Sequence, residues 1–306
     1  MSNVTKKTII VPWDFTERSE IALEHAYQLA QVVGDNILLV SLLRQPCRLA
    51  TRASQHRFDL RLEELRGQLD DEAHRLKRRY DERQRELSLV MEQEQGEKRR
   101  ELHDVSIMTL AMAYRNLRKA FKDVYTSMDI NLVVARQFYN LEGGKKVNLV
   151  SILKRLKLGR ANTMPFIIVN NPPTHRYYTE LVVPMDSANS YKETLRWVAY
   201  LSNYYHCNVN LMKPSVRDDR RKKGMANNLY FTKKILDAKG VVYGIKTASR
   251  RNDFRTEIFK FTKTIDADLL IIMTDKMKAY FTKDLVDVEM PVMFINPLSK
   301  RYQAFY

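Results

Sequence analysis

Apolar positions along this chain change their spacing in a fixed order, and the order recurs. Near the start, "IIVP" is a continuous apolar run, Leu23, Ala26 and Leu29 then follow at three-and-four spacing, and "ILLVSLL" is a second run. This is the pattern of strand, helix, strand. Far downstream the pattern returns without a gap. Val11-Pro12-Trp13-Asp14 falls on Val183-Pro184-Met185-Asp186, while Leu23, Ala26, Leu29, Ile37 and Leu39 fall on Leu195, Val198, Leu201, Val209 and Leu211. Further on, "DINLVVA" matches "DLLIIMT" and "PFIIVNNP" matches "PVMFINP". Self-similarity at so long a period indicates a duplicated domain, because solenoid repeats are far shorter.

In the second half the spacing predicts helices over Tyr191 to Tyr205, within Asp219 to Ala238, over Asp253 to Ile265 and near Lys278 to Val286, with strands between them. The first half follows the same order. Its third strand is expected over Val105 to Met112, a helix over Tyr114 to Ser127, and a last helix in "VNLVSILKRLKL" that stops at Gly159. Strands alternating with helices imply right-handed crossovers and a parallel sheet covered on both faces. The expected fold class is therefore α/β, with one domain over residues 1–173 and a second over 174–306.

One segment breaks the symmetry. Between the second and third strands of the first half, residues 48–104 form an insertion rich in Arg, Glu, Gln and Leu and free of proline. Phe58, Leu62, Leu65, Leu69, Ala73, Leu76, Tyr80, Leu87 and Met91 mark a stripe in it, with Gln84 in the one polar gap. The steps average about 3.67 residues, nearer an ordinary helix than a heptad coiled coil. A single helix there would reach about 80 Å at roughly 1.5 Å per residue, so part of it must project. The stripe is too apolar for a solitary solvated helix. Gly67 and Gly96 are its weak points, and the arm is expected either to fold back as a helical hairpin or to pack on a partner chain, which makes dimerisation or another protein partner its expected role.

Composition adjusts this picture in three places. No run of about eighteen apolar residues exists, so no membrane span is expected, and the N-terminal residues lead straight into a strand without a signal-peptide pattern. Two cysteines, Cys47 and Cys207, lie in different halves and are not expected to pair, which fits a reducing cytoplasm. The net charge is +16, concentrated in "KKVNLVSILKRLKLGR", "RDDRRKK" and "SRRNDFR". Such an excess suits anionic partners such as nucleic acid. No recognisable nucleic-acid module accompanies it, and a solvated basic helix face is the commoner meaning.

The strand-ending aspartates of "VPWDF" and "VPMDS", the strand "NILLVSLL" and the proline-led closing strands "MPFIIV" and "MPVMFI" resemble the universal stress protein family in its tandem form. The resemblance covers nearly the whole chain outside the arm. It implies a doubly wound, Rossmann-like, five-stranded parallel sheet in each half. Many family members bind ATP at the carboxyl ends of the strands, where open parallel sheets place their ligands. The resemblance implies a candidate nucleotide site in the first half at Asp14, Ser41, Leu42, Gly143, Gly144 and Lys145, with ATP as the candidate cofactor. The family's phosphate loop, G-x-x-G followed after nine residues by G-[ST], is broken here. Gly143 and Gly144 are adjacent, Arg160 follows Gly159, and "TDKMKAYFTKDLVDVEM" in the second half holds no glycine.

Each candidate also has a plainer meaning. Asp14 could simply cap the following helix with Thr16 or Ser19. Gly143 and Gly144 could form a turn, and Trp13 could be a buried strand-end aromatic rather than a base-stacking one. The six histidines are scattered, and neither H-x-x-x-H nor G-x-S-x-G occurs. The expectation is a cytoplasmic, non-enzymatic stress-response protein that acts by binding, with degenerate nucleotide sites. The alternatives are an ATP-binding switch that uses the first half only, and a nucleic-acid binder.

Overall fold

A computed structural model of the chain describes residues 6–47, 51–93, 102–141, 144–156, 164–188, 191–249, 253–281, 285 and 288–296. By its contacts the chain divides into two compact units. One comprises Met1–Val134 and Phe138–Leu149, the other Ala135–Gln137 and Val150–Tyr306.

The first unit runs β1 (Thr8–Pro12), α1 (Glu17–Val33), β2 (Asn36–Arg44), α2 (Arg52–Gln93), β3 (Ile107–Tyr114), α3 (Leu117–Ser127), β4 (Ile130–Ala135) and a small hairpin of β5 (Phe138–Asn140) and β6 (Lys146–Asn148). Its sheet has the order β4-β1-β2-β3, all parallel. β1 and β4 are buried at every position, as strands covered on both faces must be. The local signals are plain. Thr16 and Ser19 form a capping box that starts α1, and Gly34 ends it in the left-handed conformation at φ 77°. Asn116 caps α3 by accepting from the N–H groups of Arg118 and Lys119.

The second unit holds α4 (Leu149–Leu153), β7 (Phe166–Ile168), β8 (Glu180–Pro184), α5 (Lys192–Tyr205), β9 (Asn208–Lys213), α6 (Asp219–Ala238), β10 (Tyr243–Thr247), α7 (Phe254–Thr264), β11 (Leu269–Met273), α8 (Met277–Tyr280) and β12 (Val292–Ile295). The strand order is β10-β9-β8-β11-β12-β7. The first five are parallel, and β7 joins β12 antiparallel. Phe166 and Phe294 stack across that pair with ring centroids 5.0 Å apart. The strand that closes the first repeat in sequence therefore packs with the second repeat. By contacts this strand belongs, with Ala135–Gln137 and Val150 onward, to the second unit.

The insertion is neither a hairpin nor a free arm. Over Arg52–Gln93 it is one helix, about 63 Å long at about 1.5 Å per residue, with nothing crowding Gly67 to bend it. It serves as the crossover helix between β2 and β3. Leu69, Ala73, Leu76 and Tyr80 are buried, so the middle of the predicted stripe is covered by its own unit. Contacts with α1 run in step along both helices. Glu20 pairs with Arg75 and Arg79, Tyr27 stacks on Tyr80 at 4.3 Å, and Gln31 donates to Gln84 at 2.9 Å. The polar gap in the stripe thus has its polar partner. Towards the N-terminal end cover thins, and Leu60 is 57% exposed.

Two further expectations are corrected. The last helix of the first half shrinks to α4, because Lys146, Val147 and Asn148 are taken up by the hairpin with Phe138–Asn140. Gly159, where it was expected to stop, lies outside the described residues. The helix expected from Tyr114 begins only at Leu117, since Tyr114 completes β3 against Arg44.

Candidate functional site

At the carboxyl ends of β1 and β2 the first unit has a cleft of about 250 Å³. Asp14, Ser41 and Leu42 line it, as do Tyr139 of the hairpin and Arg61 and Gln68 of α2. Three of the six candidate residues are thus brought together. Gly144 and Lys145 are not among the lining residues. They lie in the turn of the hairpin, exposed, where Leu141 N–H donates to the Lys145 carbonyl at 2.8 Å and Gly144 N–H donates to that of Leu141 at 3.1 Å. Gly144 has φ 77°, the left-handed turn geometry that glycine adopts freely. Gly143 lies outside the described residues.

The polar groups at the strand ends are engaged by the chain itself. Asp14 Oδ1 accepts from Thr16 Oγ1 at 2.6 Å and Ser19 Oγ at 2.9 Å. Its Oδ2 accepts from the backbone N–H of Asn140 at 2.8 Å and from Asn140 Nδ2 at 2.9 Å. A carboxylate offers about four acceptor sites, and all are used. Asp14 therefore does two jobs at once: it braces the Thr16 and Ser19 hydroxyls at the start of α1 and anchors the hairpin. The phenol of Tyr139 completes the closure. It donates to the Trp13 carbonyl at 3.0 Å and accepts from the Leu42 N–H at 3.1 Å, satisfying the backbone at the ends of both strands. Burial pushes its pKa up to about 12, so it stays a neutral donor at physiological pH. Trp13 itself is buried and cannot stack on a ligand from outside.

The second unit treats its matching aspartate differently and reaches the same end. Asp186 Oδ2 pairs with Lys276 Nζ at 2.8 Å, and Oδ1 accepts from the Ala188 N–H at 3.3 Å. Burial works against the Asp186 charge, but Lys276 outweighs it and holds the carboxyl below its usual range. Lys276 lies in the short 3₁₀ turn after β11, the place where the resemblance would put a glycine cradle. Asn228 of α6 donates to the carbonyls of Asp186 and Ala188 at 2.7 and 2.9 Å and fixes the loop between them.

Elsewhere the described residues contain no cluster of three His, Cys, Asp or Glu side chains able to hold a metal, and no helix long and apolar enough to cross a membrane. Cys47 is exposed and Cys207 buried, and neither is in a disulfide.

No family model matches the sequence, and no curated protein sequence does. Solved structures do match in three dimensions. A universal stress protein from Archaeoglobus fulgidus superposes over 96% of this chain and 97% of its own, with a TM-score of 0.61 at 11% identity. The fold is that of a universal stress protein in tandem form. The cytoplasmic domain of a prokaryotic cation chloride cotransporter covers 98% of this chain and 100% of its own, at a TM-score of 0.50 and 10% identity. A second universal stress protein from Archaeoglobus fulgidus, in complex with dAMP, covers 39% of this chain and 98% of its own at 17% identity and a TM-score of 0.33, too loose a match to say anything of a ligand here.

Within this universal stress protein fold, Tyr139 and Asn140 are the site residues that sequence reasoning missed. A signal was available: "FYN" and "KVN" flank "LEGGK", two short strand-prone stretches around a glycine pair, which is the composition of a hairpin.

Proposed function

We propose that this protein is a non-enzymatic, stress-response binding protein whose two nucleotide sites are closed by its own side chains. The observation that carries this is the hairpin in the first unit. Tyr139 holds the backbone groups at the ends of β1 and β2, and Asn140 takes the free side of Asp14. An incoming base would have to displace both. In the second unit Lys276 neutralises Asp186. Cytoplasmic location and action through a protein partner or self-association belong to the same proposal. The half-covered N-terminal part of α2, with Leu60 open to solvent, is the surface that supports it.

The alternative, an ATP-binding switch in the first unit, is favoured by one feature: Asp14, Ser41 and Leu42 do border a cleft. Two measurements separate the readings. Protein purified under native conditions is denatured and any released nucleotide identified, and ATP is titrated into the native protein by calorimetry. Absence of both bound nucleotide and heat at millimolar ATP is expected. Stoichiometric nucleotide would establish the switch instead.

A further inference from the structure

Helix α6 holds in the second unit the place that α2 holds in the first, the crossover from the second strand of the repeat to the third. Both helices are rich in cations, and the two units treat them differently. On α2, Arg66, Arg75, Lys77, Arg79 and Arg83 each pair with a carboxylate of α1, of α2 itself or of Asp104. On α6, Lys222 pairs with Asp219, while Arg220, Lys223, Lys233 and Lys234 are exposed and make no ion pair with any described residue.

The free cations share a face. α6 buries Met225, Asn228, Thr232 and Leu236 against its own unit. Arg220, Lys223, Asn227, Tyr230 and Lys234 follow at three-and-four spacing on the opposite side, all exposed, in a stripe about 21 Å long at about 1.5 Å per residue. No acid interrupts it. Asp218 and Asp219 stand at the helix start, and Asp237 near its end accepts from the Tyr243 hydroxyl at 2.8 Å.

Tyr230 makes the stripe more than a solvated basic face. It is 72% exposed, more than any other large apolar or aromatic side chain among the described residues, and it makes no ring contact or hydrogen bond with any of them. Phe231 beside it is engaged, with Lys192 Nζ 4.6 Å from its ring centre. An open ring in a line of cations matches a single-stranded nucleic acid, whose phosphates meet the charges and whose unstacked bases lie on the ring. A duplex keeps its bases stacked, and an anionic lipid surface offers none. Helix α3 is the contrast: Arg118, Lys119 and Lys122 are exposed, but Phe121 and Tyr125 are buried.

We propose that the outer face of α6 binds single-stranded nucleic acid, with Arg220, Lys223 and Lys234 on phosphates, Tyr230 stacked on a base and Asn227 in the same track. The proposal does not depend on whether the nucleotide sites are closed.

Fluorescence anisotropy of the full chain with labelled oligo-dT and oligo-U of about a dozen nucleotides tests this, with duplex DNA, polyglutamate and anionic lipid vesicles as unlabelled competitors. At least one single strand is expected to bind and to be displaced poorly by all three competitors. The logarithm of its affinity should fall against that of salt concentration with a slope of about −2, at roughly 0.7 per cation. Tyr230→Ala should weaken binding about tenfold at unchanged slope, and Tyr230→Phe should preserve it. Arg220→Gln, Lys223→Gln and Lys234→Gln together should remove the slope. Arg118→Gln, Lys119→Gln and Lys122→Gln together, the same loss of charge on α3, should leave affinity near wild type. All these side chains are exposed, so the melting temperature should hold in every variant. No binding at low salt, displacement by duplex, polyglutamate or vesicles as effective as by the unlabelled strand, an equal loss from the α3 substitutions, or full binding by Tyr230→Ala would each overturn the proposal.

Discussion

At the scale of single residues, Asp14 is the most consequential side chain in the first unit. Asp14→Ala removes the brace of the Thr16 and Ser19 hydroxyls and the anchor of the hairpin together. A loss of about 2–4 kcal/mol is expected, since hydrogen bonds to charged groups are worth about 1.5–3 kcal/mol. A urea titration reads it as a lower midpoint with unchanged slope. Gly224 is required for a different reason. A β-carbon there would lie 2.7 Å from the Ser187 carbonyl oxygen, a backbone atom that cannot swing aside. Gly224→Ala should cost about 1–3 kcal/mol by overpacking, measurable as a lower melting temperature. His175 gives the pH dependence. Its Nδ1 lies 2.6 Å from Asp268 Oδ1, and that hydrogen bond raises the imidazole pKa above its usual 6.5. With the folded value raised, its contribution is complete below pH 6.5 and is lost as pH rises through the folded value. Melting temperature should fall across that window in the wild type, and His175→Ala should remove this step.

Elements were legible in the sequence to the degree that their apolar pattern was their own. β1, β8 and α5 fall where the spacing puts them, because each buries its own apolar run or face. The hairpin was marked only by the glycine pair between "FYN" and "KVN", and its second strand was hidden because "VNL" continues an amphipathic pattern into α4 and period alone cannot tell a three-residue strand from a helix start. The stripe on the insertion was visible, but what covers it was not. A stripe records that burial occurs and does not say by which surface. Here Leu69 and Leu76 are fully buried in their own unit, so Leu76→Ala should cost about 2–5 kcal/mol. Deleting residues 52–100 should uncover β3 and unfold the first unit, visible as loss of its cooperative melting transition. Retention of that transition would mean that the helix is an appendage.

For the whole molecule, duplication explains why two aspartates occupy matching strand ends, and the structure shows each engaged by a different device. In one unit Tyr139 and Asn140 of a hairpin bind the strand ends and the Asp14 carboxylate. In the other Lys276 pairs with Asp186. Asp14 and Asp186 could be found by aligning the halves, but their partners could not, since Asn140 and Lys276 lie in the segments after the fourth strand of each half, whose sequences do not match. Closure from within is the central claim. Amide hydrogen exchange at Leu42 and Asn140, followed with and without millimolar ATP, tests it most directly, because those two N–H groups hold the phenol of Tyr139 and the carboxylate of Asp14. Unchanged protection at both amides is predicted. Altered protection at both on adding ATP would show the hairpin giving way to a nucleotide, and would contradict the account.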